Sequence, residues 1–166
     1  MKEGFHPCSR CGRRVADKDV CIVDDEHICV RCMYGDAEPF EIYPIGTVKN
    51  DLRRSEHDFG VVGKRTVSRI ELVPSQETFL YRLEEEKHIT VVYYLHESER
   101  VRSVFKRGVD GKQVGVFASR TPHRLSRIAI QDVELIKVEG TTLFVKGLDA
   151  INGSPVLDIK LKMTAP

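Results

Sequence analysis

The sequence predicts a mostly β protein in which an antiparallel β-barrel domain follows a small N-terminal module rich in cysteine. Three observations support this fold class. Short apolar segments of strand length recur from residue 40 to residue 161, whereas helical periodicity is scarce. The pairs Glu139-Gly140 and Asn152-Gly153 are typical of turns between such strands. The chain also has no Gly-rich dinucleotide-type loop, which argues against a doubly wound α/β fold.

The composition excludes several classes of protein. The chain has 166 residues, enough for one domain with a core and a small appendage. Its net charge is +1, so any RNA binding would have to come from a local basic patch. No apolar run approaches the length that crosses a bilayer, and the first ten residues, MKEGFHPCSR, lack the apolar core of a signal peptide. We therefore expect a cytoplasmic protein without a membrane partner.

Residues 1–38 are predicted to form a zinc-binding module. Cys8 and Cys11 make one C-x-x-C knuckle, Cys29 and Cys32 make a second, and 17 residues separate the two. This spacing is typical of a structural site in which four thiolates hold Zn²⁺. Residues 20–23 and 27–30 are β-prone, which predicts a hairpin that carries the knuckles, as in a zinc ribbon or treble-clef-like module. So short a segment would not fold without its metal.

The sequence also allows other roles for the cysteines and histidines of this module. The four cysteines could instead form two disulfides, although nothing in the sequence suggests secretion. Cys21 lies between Val20 and Ile22 and is expected to be a buried thiol. His6 and His27 could substitute for a cysteine as metal ligands.

Residues 39–166 are predicted to form the barrel. The expected strands are residues 40–48, 67–72, 88–96, 114–118, 126–138, 142–147 and 156–161. A short helix is expected from residue 74 to residue 86, and residues 97–108 are interpreted as a solvated connection. The apolar pattern changes phase between Ile130 and Val133, which predicts a β-bulge near Asp132.

Candidate ligand-binding residues lie between residues 115 and 130. Arg120, Arg124 and Arg127 surround a Thr-Pro-His turn, and a guanidinium presents a rigid fork of hydrogen-bond donors to an anionic or polar ligand. The alternative is an ordinary solvated loop. A second candidate is Asp158, which alternates with apolar neighbours and so is expected to point away from the core.

The same residues carry a resemblance to a known family. GVFASRTPHR (residues 115–124) and LDAINGSPVLDIK (residues 148–160) resemble the signature of the TrmO/YaeB/TsaA-like family, roughly G-V-F-A-T-R-S-P-x-R-P-N-P-I-G and D-G-T-P-V-L-D-I-K-P-Y. YPIGTV (residues 43–48), His88-Ile89 and Leu95-His96 match in the same order. The resemblance covers about residues 40–160. It implies a homodimeric, S-adenosylmethionine-dependent tRNA methyltransferase on a β-barrel, with N6-threonylcarbamoyladenosine beside the anticodon as its substrate.

The resemblance also implies site residues. The expected cofactor-binding residues are Phe117, Ser119, Arg120, Arg124, Ile128 and His88. The expected substrate-binding residues, which would grip tRNA phosphates, are Arg53, Arg54, Arg65, Arg127 and Lys160. Methyl transfer is an in-line displacement, and most of its catalysis can come from aligning the donor, the methyl group and the acceptor. Asp158 or His123 is expected to take the amine proton.

Several positions depart from the family pattern. Where the pattern has Arg-Pro-Asn-Pro-Ile-Gly, this chain has Arg124-Leu125-Ser126-Arg127-Ile128-Ala129, without the two prolines and the glycine. The tyrosine after the Asp-Ile-Lys sequence is also missing. Two alternatives therefore remain: a protein that binds RNA or a modified nucleoside without turnover, and a methyltransferase with an acceptor other than tRNA.

Overall fold

The computed structural model describes residues 4–53, 66–98 and 100–163. These ranges contain twelve strands and one short α-helix, in the order β1 (Phe5–Pro7), β2 (Arg14–Ala16), β3 (Val20–Val23), β4 (Glu26–Cys29), α1 (Val30–Tyr34), β5 (Gly46–Lys49), β6 (Val67–Leu72), β7 (His88–Tyr94), β8 (Val104–Lys106), β9 (Gln113–Gly115), β10 (Ile128–Glu139), β11 (Thr142–Lys146) and β12 (Pro155–Leu161). The predicted predominance of strands is confirmed.

The chain divides into two compact units. The cysteine unit consists of Met1–Glu41 together with Ser98–Arg127, and the barrel unit consists of Ile42–Glu97 together with Ile128–Pro166. The end of the first part of the cysteine unit, at Glu41, lies close to the boundary predicted after residue 38. Residues 98–127, which were predicted to belong to the barrel domain, group with the N-terminal residues instead.

The barrel unit is a closed antiparallel barrel with the strand order β10-β11-β6-β5-β12-β7, in which β7 pairs with β10 to complete the circle. Alternation places every second side chain inside: Ser68, Ile70 and Leu72 of β6 are buried, whereas Val67, Arg69 and Glu71 are exposed. Fully buried aliphatic side chains from five strands fill the interior: Val48, Ile70, Ile89, Val91, Leu143, Val145 and Val156. The predicted fold class is confirmed.

One detail of strand β10 differs from the sequence-based expectation. The predicted bulge near Asp132 is wrong, because β10 pairs with β7 without a break from Ile128 to Glu134. The phase change arises because Ile128 and Ile130 lie on the outer face of β10, and Ile130 is 56% exposed. The irregularity in β10 falls farther along, between Leu135 and Lys137, where the strand pairs with β11.

Two other elements are shorter or of another type than expected. The first barrel strand is only Gly46–Lys49, and Pro44 precedes it. The expected helix over residues 74–86 is two 3-10 segments, Pro74–Leu80 and Leu83–Glu85, because Arg82 between them adopts a left-handed conformation with φ 62°.

The cysteine unit is built from three two-stranded antiparallel sheets, β1–β2, β3–β4 and β8–β9. The predicted hairpin is present as β3–β4, with Val20 opposite Cys29 and Val23 opposite Glu26. Its turn residues Asp24 and Asp25 both have positive φ, 51° and 65°, as a two-residue hairpin turn requires. Strand β8 lies within residues 97–108, which were expected to be a solvated connection, whereas β9 overlaps the start of the strand expected over residues 114–118.

Among the described residues, no helix has both the length and the apolar character needed to cross a membrane.

Candidate functional site

The four knuckle cysteines converge in the cysteine unit. The Sγ atoms of Cys8, Cys11, Cys29 and Cys32 all lie within 4.8 Å of one another, and those of Cys11 and Cys29 are 3.9 Å apart. Tetrahedral zinc with Zn–S bonds of about 2.3 Å separates its sulfurs by about 3.8 Å. All five cysteines of the chain are free thiols, which does not favour the disulfide alternative. The geometry therefore suits one metal ion held by four thiolates.

The surroundings of these thiols also suit a cation. The backbone N–H groups of Cys29 and Arg10 donate to Cys8 Sγ at 3.3 and 3.4 Å, and these bonds help lower the pKa of Cys8 to about 6. Hydrogen bonds from Arg13 lower the pKa of Cys11. Hydrogen bonds with the sulfurs of Cys29 and Cys11 raise the pKa of Cys32 to about 12, because they favour its protonated thiol. A divalent cation at the centre of the cluster favours the thiolate instead.

The other candidate ligands of this unit are engaged elsewhere. His6 Nε2 lies 2.7 Å from an Asp17 carboxylate oxygen, and the His6 ring stacks on His27 with centroids 4.4 Å apart. Neither histidine belongs to the cluster of metal-ligating groups found in the described residues. Cys21 lies outside that cluster too, and burial raises its pKa.

The loop after β9 is organised by Arg124. Its Nε donates to the Thr121 carbonyl at 3.0 Å, and its Nη2 donates to the Ser119 carbonyl at 2.7 Å and to the Val116 carbonyl at 3.5 Å. The Ser119 hydroxyl also donates to the Val116 carbonyl, at 2.8 Å. The guanidinium thus holds the loop backbone in place, which sequence reasoning did not predict.

Other side chains of this loop face outward. Phe117 is 91% exposed, because Val116–Ala118 form a 3-10 turn instead of the predicted buried strand, and β9 ends at Gly115. Arg120 is also exposed. Arg127 is half-buried and has φ 51°. The loop therefore presents an aromatic ring and a guanidinium to solvent.

His123 is held within the same unit. Its Nδ1 lies 3.3 Å from the Arg100 carbonyl oxygen, and its ring meets Phe105 edge-to-face at 6.3 Å. The Arg102 N–H donates to the His123 carbonyl at 3.1 Å. These contacts fix the orientation of the ring.

The barrel unit carries the remaining described candidates. Asp158 lies on the outer face of β12, as predicted, and its side chain is 47% exposed. It accepts a hydrogen bond from the Ile159 N–H at 2.8 Å and forms an ion pair with Lys160. His88 opens β7 and is exposed, and the half-buried Ile128 opens β10.

Arg53 lines a polar pocket in the barrel unit. The pocket measures about 300 Å³ and lies where β5 and β7 end and β12 begins; it is lined by Leu52, Arg53, Glu97, Ile151 and Asn152. Of these five lining residues only Arg53 was predicted from the sequence, although the Asn152-Gly153 turn marks this end of the barrel. Arg54 and Arg65, the other two predicted in this region, lie outside the described residues.

The comparisons with known proteins point to one family. The family model described as "tRNA-methyltransferase O N-terminal domain" matches residues 58–164. An S-adenosyl-L-methionine-binding protein of Archaeoglobus fulgidus is 34% identical over 119 residues, which cover 70% of this chain and 85% of that protein. A crystal structure of TrmO from Pseudomonas aeruginosa aligns with a TM-score of 0.60 and 25% identity, over 76% of this chain and 57% of the other.

Longer relatives match over a smaller share of their length. A probable S-adenosyl-L-methionine-binding protein of Archaeoglobus fulgidus is 42% identical over 101 residues, 61% of this chain and 27% of the relative. The tRNA (adenine(37)-N6)-methyltransferase of Mus musculus is 37% identical over 87 residues, 51% of this chain and 20% of the relative. The chain thus spans between a fifth and about a quarter of the length of these two proteins.

Proposed function

Because the chain belongs to the TrmO family, we propose that it is an S-adenosylmethionine-dependent tRNA methyltransferase that methylates N6 of a threonylcarbamoyl-modified adenosine in the anticodon loop. The observation that carries the proposal is the family match over residues 58–164, which includes both the GVFASRTPHR loop and the strand that holds Asp158. A tRNA (adenine(37)-N6)-methyltransferase among the relatives supports this choice of acceptor.

Bound S-adenosylmethionine supplies an electrophilic methyl group. The protein therefore contributes mainly by binding the cofactor and the acceptor and aligning them, and less by activating the methyl group. In this proposal Arg124 keeps the loop in its binding conformation through the Ser119 and Thr121 carbonyls. The exposed Phe117 ring is suited to stacking on adenine, and the exposed Arg120 is suited to an anionic group. Ser119, Ile128 and His88 remain proposed cofactor-binding residues, each to be tested by substitution.

Proton removal is assigned to a carboxylate of the barrel unit. Asp158 is our first candidate for the general base, since its side chain is accessible on the outer face. To accept a proton, Asp158 must first release its ion pair with Lys160. The proposed role of Lys160 itself is to hold a tRNA phosphate. His123 is the second candidate. Arg53, Arg54, Arg65 and Arg127 are proposed as further phosphate contacts.

We propose that the ion at the four cysteines is structural Zn²⁺. The support is the donor set, four thiolates with tetrahedral spacing, which leaves no position open for a substrate. A homodimer and a cytoplasmic location also stay part of the proposal, on the family resemblance and the proposed tRNA substrate alone.

The test is a methylation assay with the purified, zinc-loaded protein. Labelled S-adenosylmethionine would be incubated with tRNA that carries the threonylcarbamoyl group and with the same tRNA lacking it, followed by nucleoside analysis. We expect label only in the modified adenosine, a loss of at least tenfold in Asp158→Asn, and little change in the control Glu85→Gln, which faces solvent in the barrel unit. Full activity on both tRNAs would refute the proposed acceptor.

A second candidate function is cofactor and RNA binding without turnover. It is favoured by the relative that the chain covers over 85% of its length, which is described as a binding protein, and by the ion pair that occupies Asp158. Saturable binding of S-adenosylmethionine with no methyl transfer to any tRNA would support this candidate.

A further inference from the structure

We propose that the N-terminal zinc-binding module (residues 1–38) positions the ligand-binding loop: metal binding at the four cysteines fixes residues 100–127, here called the motif segment, through Asp24 and Leu125. The inference rests on the proposed role of the loop in binding S-adenosylmethionine. It assigns to the N-terminal module, which lies outside residues 58–164 matched by the family model, a role in cofactor affinity.

The turn of the β3–β4 hairpin is bonded directly to the motif segment. Val23 forms a parallel bridge with Val101, and the Asp24 N–H donates to the Val101 carbonyl at 3.0 Å. The Ser103 N–H donates to Asp24 Oδ1 at 3.0 Å, and the Ser103 hydroxyl donates to Asp24 Oδ2. Arg102 adds an ion pair with Asp25 at 2.9 Å.

Residues 101–103 in turn hold the loop. The Val116 N–H donates to the Ser103 carbonyl at 2.9 Å, and the Arg102 N–H donates to the His123 carbonyl at 3.1 Å. Arg124 binds the carbonyl of Val116 itself and those of Ser119 and Thr121, which lie between Val116 and His123. The short run from Val101 to Ser103 therefore touches the hairpin turn and the loop at once, so a displaced turn would release the loop.

Leu125 makes a second connection, by packing. It lies against the small buried core that surrounds the metal ligands, which consists of Cys8, Val23, Ile28 and Cys29, and Val101 packs there too. Leu125 stands directly after Arg124, at a position where the family pattern has proline. A side chain anchored in the metal-dependent core can supply the rigidity that a proline ring supplies by fixing φ.

The connection depends on metal because this core is too small to fold alone. Among the residues that the structure describes, four of this core are buried, and two of them are the ligands Cys8 and Cys29. Without an ion the four clustered thiols lose the interaction that closes the hairpin onto the first knuckle. Loss of the hairpin then removes the partners of both Asp24 and Leu125.

The primary test is hydrogen exchange of the whole chain with and without zinc. Chelation is expected to raise the exchange rate in residues 100–127 at least tenfold, and to leave strands β7 and β12 of the barrel unchanged. Calorimetric titration of S-adenosylmethionine would be run on both samples, with an expected loss of affinity of at least tenfold after chelation. Unchanged exchange in the motif segment after chelation would overturn the inference.

Variants separate positioning from general destabilisation. Asp24→Gly keeps the positive φ of the turn but removes the acceptors of Ser103, and Leu125→Ser removes the packing. Both, still zinc-loaded, are expected to exchange faster in the motif segment and to bind S-adenosylmethionine several-fold more weakly. Asp24→Asn retains an acceptor for the Ser103 N–H and is expected to restore both properties.

The matched control is Val109→Ser, which changes an 86% exposed apolar residue of the same segment and should alter neither readout. If Asp24→Gly and Leu125→Ser match the wild type in exchange, the inference fails. If the zinc-loaded wild type does not bind S-adenosylmethionine at all, the proposed function fails instead, and exchange alone then decides whether the hairpin positions the segment.

Discussion

Replacement of Arg124 by alanine should loosen its own loop while leaving the barrel intact. Two of the hydrogen bonds from the guanidinium are short, 2.7 Å to the Ser119 carbonyl and 3.0 Å to the Thr121 carbonyl. A net contribution of about 1 kcal/mol for each bond, at a half-buried site, gives about 2 kcal/mol of local stability. The loop of the Arg124→Ala variant should therefore open about 30 times more often than that of the wild type.

Hydrogen exchange followed residue by residue is the appropriate assay, read at the amides of residues 116–124. Arg124→Lys should fall between wild type and alanine, because an ammonium cannot reproduce the planar fork of donors. The control is Arg120→Ala, which removes an exposed guanidinium of the same loop. Equal exchange in wild type and Arg124→Ala would show that Arg124 does not hold the loop.

Two further predictions concern the barrel and the hairpin turn. Gly46→Ala should lower the free energy of unfolding, measured in urea, by about 1–3 kcal/mol, because a Cβ there would lie 2.6 Å from the Glu71 carbonyl oxygen. The control is Gly108→Ala, whose added Cβ meets nothing within 4 Å and should change the stability little. Hydrogen bonds from Ser103 hold the pKa of Asp24 below its ordinary value. The stabilisation from Asp24 should thus be fully present above about pH 4 and be lost as the pH falls through the lowered pKa. The hydrogen-exchange rates of wild type and Asp24→Gly should therefore converge in acid. A difference between them that does not change with pH would contradict this prediction.

The barrel could be predicted because its signals are local and redundant. Alternation in segments such as residues 67–72 and 88–94 specifies which side chains are buried, and turn pairs limit where strands end. The cysteine cluster could be predicted for a similar reason, since two C-x-x-C knuckles constrain their own geometry. The phase change in β10 was misinterpreted because periodicity alone cannot distinguish a bulge from an apolar outer face.

The contacts of the motif segment could not be predicted from the sequence. Its grouping with the N-terminal residues depends on pairs such as Asp24 and Ser103, which are 79 positions apart and carry no periodic signal. Val116–Ala118 resemble a strand in composition, yet the chain turns there and exposes Phe117, because Arg124 and Ser119 bind the Val116 carbonyl. The sequence showed that Arg124 is present in the loop, and only the structure showed what it contacts.

We propose that this chain, as a member of the TrmO family, binds S-adenosylmethionine, and the decisive experiment is calorimetric titration of the cofactor into the zinc-loaded protein. We predict saturable binding with one site per chain, weakened at least tenfold in Arg124→Ala and unchanged in the control Arg82→Ala, which pairs with Glu85 in the barrel unit. An absence of binding by a protein whose barrel strands show full protection from exchange would contradict the account.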